Sequence, residues 1–327
     1  MATAIGKLKQ FTRSDPIYKT VNNQDMRCTI WVPKDPPMTP LPLVVRWHGG
    51  GLVTGERYDE PYFPTWVINL AALHSAIIVS FDYRLLPEST GLDTLSDLQD
   101  SYLWLHRSMQ THLQTDTSTM IEADLARILI TGESAGGYCA IQSALHWNRA
   151  LPHPKAVIAH YPMLDLKDAY YQKAGPKYIW NKESPSGGDQ FLLGHLISMH
   201  PGTIITRREI PDNATYDLFT QVWESGRFLE FLGTDTSLYP VEVLDSVAEE
   251  KRKTCPVWIF HGTKDTVVPF QGSQTFFDKA KSLKLLEKWD LVFTKIDGED
   301  HCFDSMQESL EVKWAADGRE WLGKYWP

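Results

Sequence analysis

Apolar residues in this chain gather in short runs separated by polar, Gly- or Pro-containing segments. "RCTIWV" (27–32), "LVVRW" (43–47), "AIIVSFD" (76–82), "RILITG" (127–132), "AVIAHY" (156–161), "VWIFHG" (257–262) and "DLVFTKI" (290–296) are rich in β-branched and aromatic residues, and read as buried strands. Between several of them the period lengthens to that of a helix. In 94–109, Leu95, Leu98, Tyr102 and Leu105 fall on one face, and 136–150, 272–283 and 308–325 carry similar helical patterns. Strand and helix in alternation predict an α/β chain whose central sheet is mainly parallel, with helices on both faces.

The rhythm breaks between Leu166 and Lys251, where Gly, Pro, Ser and aromatics replace strand-like runs. We expect one core (25–165 and 252–327) interrupted by an inserted helical lobe (166–251). The chain has 327 residues, enough for one large open sheet with an inserted lobe. Acidic and basic residues are interleaved and sum to a net charge of -9, which argues against nucleic acid or an anionic membrane surface as partner. No apolar run approaches the length of a membrane span, and the N-terminus has no apolar core of a secretory signal, so a cytoplasmic location is expected. Cys28, Cys139, Cys255 and Cys302 lack metal-ligand spacing and read as free thiols. Oligomeric state is left open, a homodimer included.

Chemistry concentrates first in "ILITGESAGGYCA" (128–140). A strand runs into Gly-Glu-Ser-Ala-Gly and a helix begins at once, which is the setting of a serine nucleophile held on a sharp turn. Gly132 and Gly136 let strand and helix approach there, leaving Ser134 exposed at the carboxyl end of the sheet. A serine hydroxyl needs a base, and the base needs an orienting acid. Asp265 follows one strand in "PVWIFHGTKDTVVP", and His301 follows the next in "DLVFTKIDGEDHCF". The order Ser134, Asp265, His301 is the one expected for such a sheet, while His261 is the weaker candidate for the base.

Three consecutive glycines in "RWHGGGLVTG" (46–55) complete the pattern. A tetrahedral intermediate carries negative charge on the former carbonyl oxygen, and preorganised backbone N–H groups stabilise it. Gly49, Gly50 and Gly51 let the loop turn its N–H groups toward that oxygen, with Ala135 supplying the N–H beside the nucleophile. His48 is read as a brace of the loop. The run lacks the Lys-Ser/Thr ending of a phosphate-binding loop.

"HGGGLVTG", "DYRLLPE" (82–88) and "GESAGG" (132–137), followed by Asp265 and His301, resemble the hormone-sensitive-lipase-like branch of α/β-hydrolase carboxylesterases and lipases over residues 42 to 304. The resemblance implies an α/β-hydrolase fold with a helical cap or lid formed by the N-terminal 1–24 together with the inserted 166–251, a triad of Ser134, Asp265 and His301, and an oxyanion hole of Gly50, Gly51 and Ala135. That branch more often carries Asp where this chain has Glu133. Arg84 and Glu88 of "DYRLLPE" are available for a local ion pair. In the cap, Tyr178, Trp180, Phe191, Leu192, Trp223, Phe228 and Phe231 are candidates for an apolar acyl pocket.

The expected activity is that of a serine hydrolase on a carboxylic ester or thioester of a small to medium apolar acyl substrate, through an acyl-enzyme and without metal or organic cofactor. Two rival readings are acyl transfer, cyclisation or carbon–carbon bond formation by the same triad, and a non-catalytic small-molecule receptor. Asp297, Glu299 and Asp300 surround His301 in sequence and predict a raised histidine pKa, hence an upward shift of the acid limb of activity.

Overall fold

A computed structural model describes residues 6–116, 121–146, 150–179, 182–183, 189–209 and 213–327. Among them, nine strands form one sheet: β1 (Phe11–Ser14), β2 (Ile17–Val21), β3 (Gln24–Pro33), β4 (Leu41–Trp47), β5 (Ile77–Phe81), β6 (Ala123–Glu133), β7 (Ala156–His160) and, after a small hairpin of β8 (Tyr178–Ile179) and β9 (Lys182–Glu183), β10 (Val257–Gly262) and β11 (Leu291–Ile296). The order across the sheet is β1-β3-β5-β4-β6-β7-β10-β11, with β2 also on β3. β3 is antiparallel to its neighbours β1, β2 and β5. From β5 to β11 every pairing is parallel.

The near-continuous apolar runs follow from burial on both faces. Along β4, Leu43, Val45 and Trp47 enter one apolar cluster while Val44 enters the other; along β10, Val257 and Ile259 part in the same way from Trp258 and Phe260. Helices α1 (Thr65–Leu73), α2 (Gly91–Arg107), α3 (Met109–Asp116) and α4 (Ala135–Leu145) alternate with the strands. The lobe carries α5 (Ala169–Gln172), α6 (Gln190–Ser198), α7 (Asn213–Glu224), α8 (Phe228–Leu232) and α9 (Pro240–Glu249), before α10 (Phe270–Ser282) and α11 (Ala316–Leu322) return to the core. In α2 the predicted stripe of Leu95, Leu98, Tyr102 and Leu105 is buried, and Thr90 with Asp93 forms a capping box at its start.

Three expectations change. The N-terminal segment, expected in the cap, instead extends the sheet through β1 and β2, because β3 would otherwise leave an edge of unpaired backbone. Its end meets the lobe, where Asn22 and Gln24 donate to the Gly202 carbonyl. The terminal helical pattern shortens to a 3-10 turn (Lys313–Ala315) and α11. Arg84 and Glu88 do not pair locally. Arg84 forks onto Asp97 and reaches Asp93 at 2.6 Å. Glu88 instead accepts from Arg208 and lies 2.7 Å from His195 Nε2, so it fastens the lobe to the core.

Candidate active site

Parallel strands end on one edge, and the candidate residues leave from the ends of β4, β6, β10 and β11. Ser134 stands between β6 and α4 with φ 58° and ψ -117°, a conformation costing about 1–3 kcal/mol. Packing holds it there. A Cβ on Gly132 would lie 2.1 Å from the Gly136 carbonyl oxygen, and one on Gly136 would lie 2.0 Å from that of Trp47, so both glycines are required by close approach. The Ser134 N–H donates to the His160 carbonyl at 2.9 Å.

His301 lies 2.7 Å through Nδ1 from Asp265 Oδ2. Both side chains are buried. Asp265 is saturated with donors: its Oδ1 accepts from the N–H groups of Val267 at 2.9 Å and Val268 at 2.8 Å, and its Oδ2 also meets His261 Nε2 at 3.1 Å. Burial would raise this carboxyl, but His301 and His261 overrule it and hold it well below the usual carboxylate range. Burial likewise works against the charged His301 ring, yet the Asp265 carboxylate wins and the imidazole is raised well above the ordinary histidine value of 6.5. The direction matches the sequence expectation, but the first charge opposing burial is Asp265 and not the loop acids. Asp300 turns its carboxylate to Thr266, accepting from its N–H at 2.8 Å. His261, weighed as a rival base, is fully buried between Asp265 and Ser273 Oγ.

Ser134 and His301 line one cavity of about 90 Å³. No hydrogen bond joins the hydroxyl to the imidazole among the described residues, as is common for such groups before substrate tightens the site. Gly50 (φ 105°) and Gly51 (φ 64°) line the same cavity. Among the described residues, the N–H groups of Gly50, Gly51 and Ala135 donate to no protein acceptor. A Cβ on Gly50 would fall 2.1 Å from the Thr54 carbonyl oxygen, which is why that position must be glycine. His48 stacks on Tyr83 with ring centroids 4.3 Å apart, and burial lowers its pKa to about 3, so it stays neutral.

The lobe closes over this loop. A Cβ on Gly51 would meet Phe219 at 2.4 Å and Trp223 at 3.0 Å. The cavity wall from the lobe is Tyr216 and Phe219, not the aromatics singled out from the sequence. Leu192, Trp223 and Phe228 are buried in packing, Tyr178 and Phe191 are exposed, and Phe231 packs against the main apolar cluster. Trp180 lies outside the described residues. The wall nearest the nucleophile holds a pair that sequence reasoning missed: Arg46, inside an apolar strand, is buried with Glu133 as its ion-pair partner and Phe63 under its guanidinium. A charged residue in the middle of "LVVRW" was the available signal. Cys302, also unforeseen at the site, lines the cavity beside His301.

The α/β hydrolase fold family model matches residues 44–225. A Phoma protein named "Probable carboxylesterase M8" is 30% identical over 98% of each chain. The chain belongs to the α/β hydrolase family. With its carboxylesterase relative, that membership makes it a serine hydrolase. It is also 28% identical, over 91% of its own length, to 14% of the "Non-reducing polyketide synthase Preu6" of Preussia isomera. Among solved structures, an α/β hydrolase superfamily protein from Enterococcus faecalis shares the fold with a TM-score of 0.64 at 18% identity, covering 96% of this hydrolase and 98% of that chain.

Proposed function

We propose that this serine hydrolase cleaves a carboxylic ester or thioester of a small to medium apolar acyl group. Ser134 attacks the carbonyl, His301 takes its proton and returns it to the leaving group, and Asp265 holds the ring with Nε2 free for the transfer. The N–H groups of Gly50, Gly51 and Ala135 stabilise the oxyanion, each typically contributing ~10²–10³ in rate. The observation that carries this reading is the cavity shared by Ser134, the Asp265-bound His301 and two of those unpaired N–H groups. "HGGGLVTG" and "DYRLLPE" support membership of the hormone-sensitive-lipase-like branch, and the name of the Phoma relative supports an ester substrate. The lobe of 166–251 is the cap, closing over Gly51 through Phe219 and Trp223.

Labelling with an organophosphonate, followed by peptide mass mapping, tests the assignment. One adduct is expected on Ser134 and lost in Ser134→Ala; an adduct elsewhere overturns it. A second reading has a specific support: the match within a polyketide synthase favours an acyl thioester, and transfer or cyclisation in place of hydrolysis. Product analysis with an added alcohol or amine acceptor separates the two.

A further inference from the structure

Asp59 stands where an aspartate ordinarily caps a helix. It precedes the 3-10 turn Glu60–Tyr62, yet its side chain makes no capping hydrogen bond. Among the described residues its carboxyl group forms no hydrogen bond or ion pair, although it is half-buried and lines the cavity that holds Ser134 and His301. An acid in that position is not explained by the local fold. Half-buried in the cavity wall, it is open to a substrate donor, and a site built in this way discriminates against ligands that lack the group.

Tyr62, Tyr216, Phe219 and Val267 give the cavity an apolar, mostly aromatic side, and the glycine loop and the Arg46–Glu133 pair line it as well. Planar side chains favour a planar substrate, whose ring offers them stacked or edge-on contacts. We propose that Asp59 is a specificity-determining residue that hydrogen-bonds a phenolic hydroxyl of the substrate, so that the preferred acyl group is a hydroxylated aromatic one. This rests on the serine-hydrolase reading of the same cavity and narrows its substrate class.

The charge environment suits that role. Burial raises the Asp59 carboxyl to about 7; Arg46 pulls it down, and Glu56, Glu133 and Glu209 push it further up. Near neutral pH both forms are present, and a phenol can donate to the carboxylate or accept from the acid.

The test uses matched p-nitrophenyl esters of 3- and 4-hydroxybenzoic acid and of the corresponding methoxybenzoic acids, which keep the ring and remove the donor. Wild-type enzyme is expected to favour at least one hydroxylated ester over its methoxy partner by about tenfold or more in kcat/KM, and Asp59→Leu to bring that ratio to about one. A thermal melt confirms that the variant is folded, and Asp59→Asn provides a second, smaller change if it is not. A wild-type ratio near one for both pairs, or a ratio left unchanged in the folded variants, overturns the inference. Ser134→Ala keeps the two readings apart. If it is inactive while the ratio is flat, only the role of Asp59 fails; if it still turns over every ester, the nucleophile assignment fails first.

Discussion

Two carboxylates at this site stand at opposite extremes. Asp265, behind His301, receives two backbone N–H groups and faces two histidines, and is held ionised far below the usual range. Asp59, on the cavity wall, receives none of these and is raised to about 7. Both are withdrawn from water, so burial alone pushes both upward. What separates them is the donor set, and it assigns them different work: a fixed negative charge that orients an imidazole, and a group left free to meet a ligand.

The largest break in that comparison is Asp265→Asn. The amide cannot offset the imidazolium charge, so kcat is expected to fall by ~10⁴. The acid limb of kcat/KM should also move. His301 must be neutral to accept a proton, and its raised pKa places the wild-type limb above 6.5; removing the carboxylate removes the largest influence opposing burial, so the limb of the residual activity should move to lower pH. A pH–rate profile of both proteins checks the direction.

Next is the loop that meets the oxyanion. Gly50→Ala adds a Cβ where φ is 105° and the Thr54 carbonyl oxygen is 2.1 Å away, so the loop must shift and misdirect its N–H. A loss of ~10²–10³ in kcat is expected, with KM less affected. A third carboxylate supplies a structural contrast. Glu88 is buried and holds Arg208 and His195 of the lobe, and Glu88→Gln is expected to lower stability by about 1–3 kcal/mol by weakening a charged hydrogen bond, as read by denaturant unfolding.

The smallest perturbation is titration without any substitution. In carbon-13 NMR of labelled aspartates, Asp59 is expected to show a midpoint of about 7, while Asp265 remains ionised through the normal carboxylate range. Coincident midpoints would remove the contrast between the two groups.

The parallel part of the fold was legible because both faces of its strands are buried, so each strand appears as an apolar run bounded by turn residues. β1 and β2 were not, since "FTRS" and "IYKTV" are short, mixed in polarity and become strands only by pairing with β3. The elbow around Ser134 and the glycine loop were legible for a local reason: their chemistry demands small residues at fixed spacing. Asp59 was not, because "RYDEPY" reads as an ordinary polar turn and nothing in the letters tells which way a carboxyl points. His261 was seen as a competitor for the base, but its contact with Asp265 depends on how the turn after β10 folds back.

What the order of residues determined by itself was the alternation of strand and helix, the strained serine turn and the identity of groups able to form a relay. These depend on contacts between near neighbours and on backbone preferences of individual residues. The meeting of Asp265 with two histidines, the docking of Phe219 on Gly51 and the unpaired state of Asp59 were decided only by tertiary structure. Burial and hydrogen-bond satisfaction are properties of a side chain's whole surroundings, and those surroundings come from segments far apart in the chain.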